Sequence, residues 1–316
     1  MNDSKFTLFY FPTSYYSQKV LIALKEKNVR FQLRMVNILN LEQTQAWYMR
    51  MNASGTVPVL KDGDKIVKES EDIINYVDRA IPGDVRLVPG TESEMGRQVE
   101  KFRKLMDKIP IDKVTYGIFF NNELSAPGGH IPPPFRQSRK DLEAKILKGA
   151  VDTAKLAERH LDLRDAYLTK SQLMSDRLNF LMDKSRVEEV LDDLEKTCDV
   201  LEEQLKKMKI EQSDETWLCG PNYTAADLTL TCLLGRLIFV GLGERYFPKE
   251  KRPNLWAYWG RTQQRSSTRE VVLGAGKFLA KYIIQEKAKC VLPVIGGLAT
   301  VGLAAGLAAF LIHKYK

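Results

Sequence analysis

The sequence predicts an α/β domain, followed by an all-helical domain and a C-terminal membrane span. Residues 1–82 alternate short apolar strands with amphipathic helices, which is typical of a βα arrangement. Residues 92–268 keep a helical apolar spacing and contain no convincing strand pattern. Residues 290–312 are 23 consecutive positions without a charged side chain, enough to cross a bilayer as a helix.

The first domain divides into elements according to its apolar pattern. Apolar residues alternate in strands and recur every three or four positions in helices. Strands are expected at 6–11, 31–36, 57–60 and 66–68, and helices at 17–27, around 47–51 and around 73–77. The turn at 61–64 makes the last two strands a hairpin, and residues 81–83 form a linker.

The second domain contains a helix with a pronounced apolar seam. Its apolar residues recur at spacings of three and four, at Val187, Leu191, Leu194, Cys198, Leu201, Leu205 and Met208. Such a seam packs inside a domain or forms a coiled coil between chains, and its short length favours the intradomain helix. A group of glycines and prolines at 127–134 interrupts the domain.

The uncharged C-terminal run is interpreted as a tail anchor. A helix of residues 290–312 would be about 34 Å long, against a hydrocarbon core of about 30 Å, and a buried core helix is the alternative. Only four residues follow, so we expect insertion after synthesis, with the preceding domains in the cytosol. Gly302 and Gly306 form a GxxxG pattern that lets two spans pack closely, although anchors that stay single also contain small residues.

The net charge of +8 is concentrated near the predicted span. From residue 271 onward there are six lysines and one acid, Glu286, which account for five of the eight charges. This excess indicates a lipid bilayer as partner and argues against nucleic acid. Residues 271–289 are amphipathic, with Phe278 and Tyr282 on the apolar face, and two alternatives stand: the segment rests in the headgroup region or docks onto the helical domain.

The cysteines and histidines indicate neither a redox pair nor a metal site. The four cysteines are scattered without CxxC spacing, which suits a reducing cytosol, and the N-terminus lacks a signal-peptide or transit-peptide pattern. The three histidines lie far apart, so no metal is expected.

Three short motifs indicate particular local structures. Pro58, within residues 52–60, cannot donate a hydrogen bond to a sheet, and its position at the start of a strand favours a cis bond. Ser70, within residues 68–74, suits a helix N-terminus whose free N–H groups can hold an anion. Thr224 and Asp227 have the spacing of a capping box.

Together, in this order, the motifs resemble the glutathione-transferase fold, which joins a thioredoxin-like domain to a helical domain. The resemblance implies that Val57, Pro58, Glu69 and Ser70 bind glutathione, and that the capping box is structural. Glutathione would then be a ligand or cosubstrate, with no tightly bound cofactor. A homodimer is a separate expectation, and it depends on the GxxxG pattern at Gly302 and Gly306.

The loop at residues 11–20 is similar to the catalytic loop of zeta-class glutathione transferases. The similarity implies Ser14 as the catalytic candidate and Ser17 as the second, because a hydrogen-bond donor at a helix N-terminus favours the thiolate of glutathione. The alternative is that both serines only cap the helix, a role that serine fills in proteins of any function. Glu69 has the same alternative, since an acid at a helix start complements the helix dipole.

Two departures from the ordinary glutathione-transferase pattern indicate a narrower family. Ser70 and Thr224 lie 154 residues apart, which indicates an insertion at about 124–185, and an amphipathic segment and span follow the helical domain. With the motif at 251–255, this pattern is similar to the ganglioside-induced differentiation-associated protein 1 family. The similarity implies a single-pass protein of the outer mitochondrial membrane, facing the cytosol, that acts in mitochondrial fission, organisation and redox homeostasis.

Three functional hypotheses remain at this point. The first is a protein that senses a ligand or binds cytosolic or cytoskeletal proteins, the second a membrane-tethered active glutathione S-transferase, and the third a structural protein with a vestigial pocket. The peroxisomal membrane is the alternative location, because a short span flanked by lysines suits both membranes.

Overall fold

The computed structural model describes residues 6–83, 85–125, 138–211 and 215–291. The first domain has one four-stranded sheet in the order β2-β1-β3-β4, with β1 parallel to β2 and antiparallel to β3. The strands are β1 Phe6–Tyr10, β2 Phe31–Met35, β3 Val59–Asp62 and β4 Lys65–Val67. This arrangement confirms the expected thioredoxin-like domain, and each strand begins within two residues of its predicted start.

The rest of the described chain is helical, as expected. The helices are α1 Tyr15–Glu26, α2 Ala46–Met51, α3 Ser70–Ala80, α4 Glu94–Asp107, α5 Ile111–Phe120, α6 Arg139–Arg159, α7 Arg164–Met182, α8 Lys184–Glu211, α9 Ala225–Phe239, α10 Gly243–Tyr246, α11 Pro253–Thr262, α12 Ser266–Thr268 and α13 Gly274–Val291. A π-helical stretch, Arg269–Leu273, joins α12 to α13.

The two faces of the sheet have different neighbours. Phe6 and Leu8 point toward α1 and α3 and share one core with the helical domain. On the opposite face, Phe9, Tyr48 and Val59 belong to a smaller apolar cluster. Because buried apolar surface contributes about 25 cal/mol per Å², the shared core joins the two domains.

The seam of α8 lies inside the domain. All seven apolar residues of the predicted seam are buried, and the helix packs on α5, α7 and α11. This confirms the intradomain alternative for the seam.

The predicted capping box is also present at the start of α9. The backbone N–H and the hydroxyl of Thr224 both donate to Asp227 Oδ2, at 2.8 and 2.9 Å.

The insertion forms a helical hairpin, α6 and α7, that packs on the first domain. Tyr167 is fully buried and donates its hydroxyl to the carbonyl of Thr44 at 2.9 Å. Lys170 Nζ donates to the carbonyls of Ser54 and Gly55, each at 2.9 Å. The hairpin therefore holds the loop that leads to Pro58. Burial, and then the charge of Arg177, lower the pKa of Lys170 to about 8.

Within the described residues, no helix has the length and apolarity needed to cross a bilayer. The predicted span at 290–312 falls outside them from residue 292 onward, as do Gly302 and Gly306 and the breaker group at 127–134. The span and its packing motif stay predictions.

Candidate functional site

Three segments meet at one end of the sheet. β1 and β3 are antiparallel with Phe9 opposite Val59, so the peptide bond before β3 lies beside the end of β1. β3 and β4 pair with Leu60 opposite Val67, so the start of α3 returns to this end. The topology thus gathers the loop before α1, the Val57–Pro58 bond and the start of α3, as the resemblance implies.

Ser14 caps α1, and among the residues that the structure describes its hydroxyl proton has no acceptor. Its backbone is extended, and its Oγ accepts a hydrogen bond from the N–H of Ser17 at 3.3 Å. A hydroxyl accepts and donates at once, so the cap leaves this proton for a ligand. Ser17 is fully buried, and its Oγ accepts from the N–H of Phe11 at 3.3 Å. Ser14 is therefore the serine of the pair that a ligand can reach.

The other two segments offer backbone groups. The Val57–Pro58 bond is cis, as the sequence predicts. Within the described residues, the N–H groups of Ser70 and Glu71 have no hydrogen-bond acceptor. Glu69 is exposed and has a φ of 56°, a left-handed conformation that costs a non-glycine residue about 1–3 kcal/mol. Free N–H groups at a helix N-terminus are suited to hold a carboxylate.

A largely buried ionic network lies behind this site, and no sequence pattern indicates it. Lys19 of α1 is fully buried and pairs with Glu71 and with Asp107 Oδ1, the latter at 2.9 Å. Arg103 of α4 also pairs with Glu71. Burial alone would raise the pKa of the Glu71 carboxyl, but Lys19 and Arg103 outweigh it and lower the pKa. The network locks α1 and α3 of the first domain to α4 of the second.

Arg236 of α9 is the second feature that the sequence did not reveal. Its Nη2 donates to the carbonyl of Thr13 at 2.6 Å, just before the cap of α1. Tyr16 lies near it and is 39% exposed. Burial, and then Asp112 and Asp107, raise the pKa of Tyr16 to about 12, so its phenol stays protonated at neutral pH.

Helix α13 packs beside the same end of the sheet. The ring of Phe278 meets that of Phe11 edge to face, with centroids 6.0 Å apart, and packs on the cluster that includes Val57. Tyr282 OH accepts from Asn37 Nδ2 at 2.8 Å. The amphipathic segment thus docks its apolar face on protein.

The surface that receives α13 differs from the expected one. Its Phe278 and Tyr282 contact the first domain rather than the helical domain. The stretch before α13 meets the helical domain, where Val272 lies so close to Gly235 that a Cβ on this glycine would be 2.3 Å from Val272 Cγ1. The aromatic residues of α13 contact Phe11 and Asn37, and the amphipathic pattern alone could not specify these partners.

No group of three or more His, Cys, Asp or Glu side chains in the described part of the chain is placed to hold a metal ion.

The fold and the site together define a glutathione-transferase-like protein. Residues 8–84 match the family model of the glutathione S-transferase N-terminal domain, and residues 184–261 match that of the C-terminal domain.

The relatives make the assignment narrower. The chain is 32% identical over 271 residues to human ganglioside-induced differentiation-associated protein 1-like 1, covering 84% of this chain and 73% of that protein. It is 27% identical to the tetrachloro-p-hydroquinone reductive dehalogenase of Sphingobium chlorophenolicum, covering 83% and 93% of the two chains. The chain therefore belongs to the ganglioside-induced differentiation-associated protein 1 family, within the glutathione-transferase superfamily.

Solved structures support the fold. The β-etherase LigF of a Sphingobium strain superposes with a TM-score of 0.62 at 21% identity, covering 84% of this chain and 98% of that one. A glutathione transferase of Phanerochaete chrysosporium, solved with oxidized glutathione, gives a TM-score of 0.60 at 14% identity, with 88% and 98% covered.

Proposed function

We propose that this protein is a tail-anchored, glutathione-transferase-like protein of the outer mitochondrial membrane. In this proposal it senses a ligand or binds partners, and so controls mitochondrial fission, organisation and redox homeostasis. The observation that carries the proposal is the docking of α13, through Phe278 and Tyr282, beside the Val57–Pro58 bond. An efficient transferase needs free access for two substrates, whereas a sensor needs an element that responds to occupancy.

The position of α13 in the chain makes it suited to that role. It runs to Val291, directly into the predicted span, so its docked and released positions present the membrane with different arrangements of the cytosolic domains. A ligand that competes with α13 for the site shifts this equilibrium by its difference in affinity for the two states. The concentration of the ligand would thereby determine how the cytosolic domains are arranged at the membrane.

A protein partner has a candidate surface on the insertion. A groove of about 390 Å³ lies between α6 and α7. Leu147, Val151 and Leu168 line it, and each is 45% exposed or more. Apolar grooves of this kind accept side chains of another protein. We assign this groove to a cytosolic or cytoskeletal protein partner. The proposal also includes a homodimer, in which Gly302 and Gly306 would let two predicted spans pack closely.

The second candidate function is an active, membrane-tethered glutathione S-transferase. The hydroxyl of Ser14 and the N–H groups of Ser70 and Glu71 favour it, because these donors have no acceptor in the described part of the chain. In that function glutathione would be the cosubstrate, and Ser14 would donate its hydrogen bond to the sulfur while an electrophile approaches.

Glutathione binding tests both functions. With the full chain in lipid nanodiscs, calorimetry is expected to detect binding, and conjugation is expected to be slow. Ser14→Ala should preserve most of the binding and slow conjugation about 100-fold, the usual cost of one hydrogen-bond donor to a reacting anion. Ser93→Ala is the matched control, because Ser93 caps α4 through Gly96 N–H, remote from the site. Absence of binding refutes the transferase function and excludes glutathione as the sensed ligand, whereas fast conjugation that depends on Ser14 favours the second function.

The membrane proposal has its own test. Removal of residues 290–316 is expected to release the protein into the cytosol, and the full chain should resist extraction from mitochondria by alkaline carbonate. Markers for mitochondria and peroxisomes, observed together, distinguish the two membranes. Unchanged location after the truncation would exclude the tail anchor.

A further inference from the structure

The amine of Lys170 is held by uncharged groups. It lies on α7, and its Nζ donates to the carbonyls of Ser54 and Gly55 in the first domain, each at 2.9 Å. Its side chain is partly exposed, and no carboxylate in the described part of the chain forms an ion pair with it. A carbonyl accepts an N–H from a charged or an uncharged amine, so neither hydrogen bond requires the ammonium form.

The two lysines with buried amines elsewhere in the described chain have different surroundings. Lys19 pairs with Glu71 and Asp107, and Lys27 pairs with Asp78. In both cases a carboxylate compensates the charge of an ammonium group, which is costly to bury alone. The contacts of Lys170 include no such compensation.

A second cation acts on Lys170 instead. Arg177 lies two turns further along α7 on the same face, with its guanidinium 4.8 Å from the ring centroid of Tyr116. Burial and a neighbouring positive charge both disfavour an ammonium ion, and together they lower the pKa of Lys170 to about 8. A partly desolvated lysine beside another cation is one of the ways in which proteins make an amine nucleophilic.

The two carbonyls also fix the direction of the amine. Its nitrogen is tetrahedral: one position is bonded to Cε, and two carry the hydrogens donated to Ser54 and Gly55. In the uncharged amine the fourth position is a lone pair, and none of the residues that the structure describes forms a hydrogen bond there. The same contacts that hold the amine therefore leave its reactive electron pair unoccupied.

We propose that Lys170 is a modification site, at which the amine is acylated by a small acyl thioester. The lone pair of Nζ forms a bond to the carbonyl carbon and the C–S bond breaks. The sulfur leaves as a thiolate with the electron pair of that bond, and the nitrogen releases one proton to solvent. A small thioester suits the site, because its carbonyl stands at the end of a slender chain and can approach an amine that two segments partly cover.

Acylation changes the contact between the α6–α7 hairpin and the loop that leads to Pro58. The amide product has one N–H, so it can donate to only one of the carbonyls of Ser54 and Gly55, and it has no charge. The modified hairpin therefore holds this loop by fewer hydrogen bonds. The reaction requires no glutathione, so this site is independent of the proposed function.

The test measures acylation lysine by lysine. The full chain in lipid nanodiscs is incubated with acetyl-coenzyme A across neutral and mildly alkaline pH, and mass spectrometry of its peptides quantifies each acetylated lysine. Lys145, exposed on α6 of the same hairpin, is the internal comparison. At neutral pH we expect Lys170 to react about tenfold faster than Lys145, because more of its amine is uncharged, and its rate should level off above a pH of about 8. A rate no higher than that of Lys145 would overturn the proposal.

Hydrogen exchange of the amides at 54 and 55 tests the consequence for the loop. After treatment with acetyl-coenzyme A, these amides are expected to exchange about fivefold faster in the wild type, which corresponds to the loss of one hydrogen bond. Lys170→Arg retains N–H donors and has no amine to acylate, so its exchange should not change. Lys145→Arg should respond as the wild type does. An equal acceleration in Lys170→Arg, or none in the wild type once Lys170 is acetylated, would contradict the proposed effect of the modification.

Discussion

Replacement of Asp227 by alanine is expected to lower the free energy of unfolding by about 4 kcal/mol, because the carboxylate is fully buried and holds three segments together. Its Oδ1 accepts from the N–H of Leu218 and the hydroxyl of Tyr258, both at 2.8 Å, and its Oδ2 accepts from the capped Thr224. Burial raises the pKa of this carboxyl despite these four hydrogen bonds, which favour its charged form. Removing it leaves several buried donors unpaired. Calorimetric unfolding should show a fall in Tm of about 10 °C.

A surface acid provides the comparison for this variant. Asp193 lies on α8 with its side chain 76% exposed and pairs with Lys196. Asp193→Ala should therefore change the unfolding free energy by no more than about 0.5 kcal/mol. If Asp227→Ala were as mild as this control, the capping box would not carry the stability that its geometry indicates.

Introducing aspartate at Phe278 is expected to release α13 and to increase the affinity for glutathione about tenfold. Partial burial of a phenylalanine contributes about 1.5 kcal/mol, and a charge at this position cannot enter the cluster that includes Val57. The apparent affinity of a covered site is reduced by the fraction of molecules in which it is open. Calorimetry with glutathione on the full chain measures the effect, and hydrogen exchange should speed up along α13.

Ile284→Asp places the same charge on the exposed side of the same helix, where the side chain is 39% exposed. This control should leave the affinity for glutathione unchanged. Equal affinities of the wild type and Phe278→Asp would show that α13 does not restrict the site. Tyr282→Phe, which removes the hydrogen bond from Asn37, should produce a smaller increase of the same sign.

The features that the sequence predicted are those with local signals. The seam of α8 follows from apolar spacing within one helix, and the capping box from two residues three positions apart. Pro58 marks its own strand, because a missing N–H restricts where it fits in a sheet. In each case the information lies within a few residues, so the pattern and the structure agree.

The features that the sequence did not predict depend on partners far away in the chain. Arg236 and Thr13 are 223 residues apart, and Tyr282 and Asn37 are 245 apart. Nothing near Lys19 indicates that its charge would be buried, since Glu71 and Asp107 come from two other helices. An amphipathic face shows that a helix will be covered, but not by which surface. The packing of the two domains decides these pairings.

The hydrogen bonds from the α6–α7 hairpin to residues 54 and 55 couple the motions of the two segments. Lys170 connects the hairpin to the loop that ends at Pro58, and Tyr167 connects it to Thr44 of the same domain, so the loop and the hairpin move together. A ligand that orders this loop would make the α6–α7 hairpin more rigid, and a protein that binds the hairpin would change the shape of the pocket beside Pro58. By thermodynamic reciprocity, each of the two binding events changes the strength of the other by the same factor.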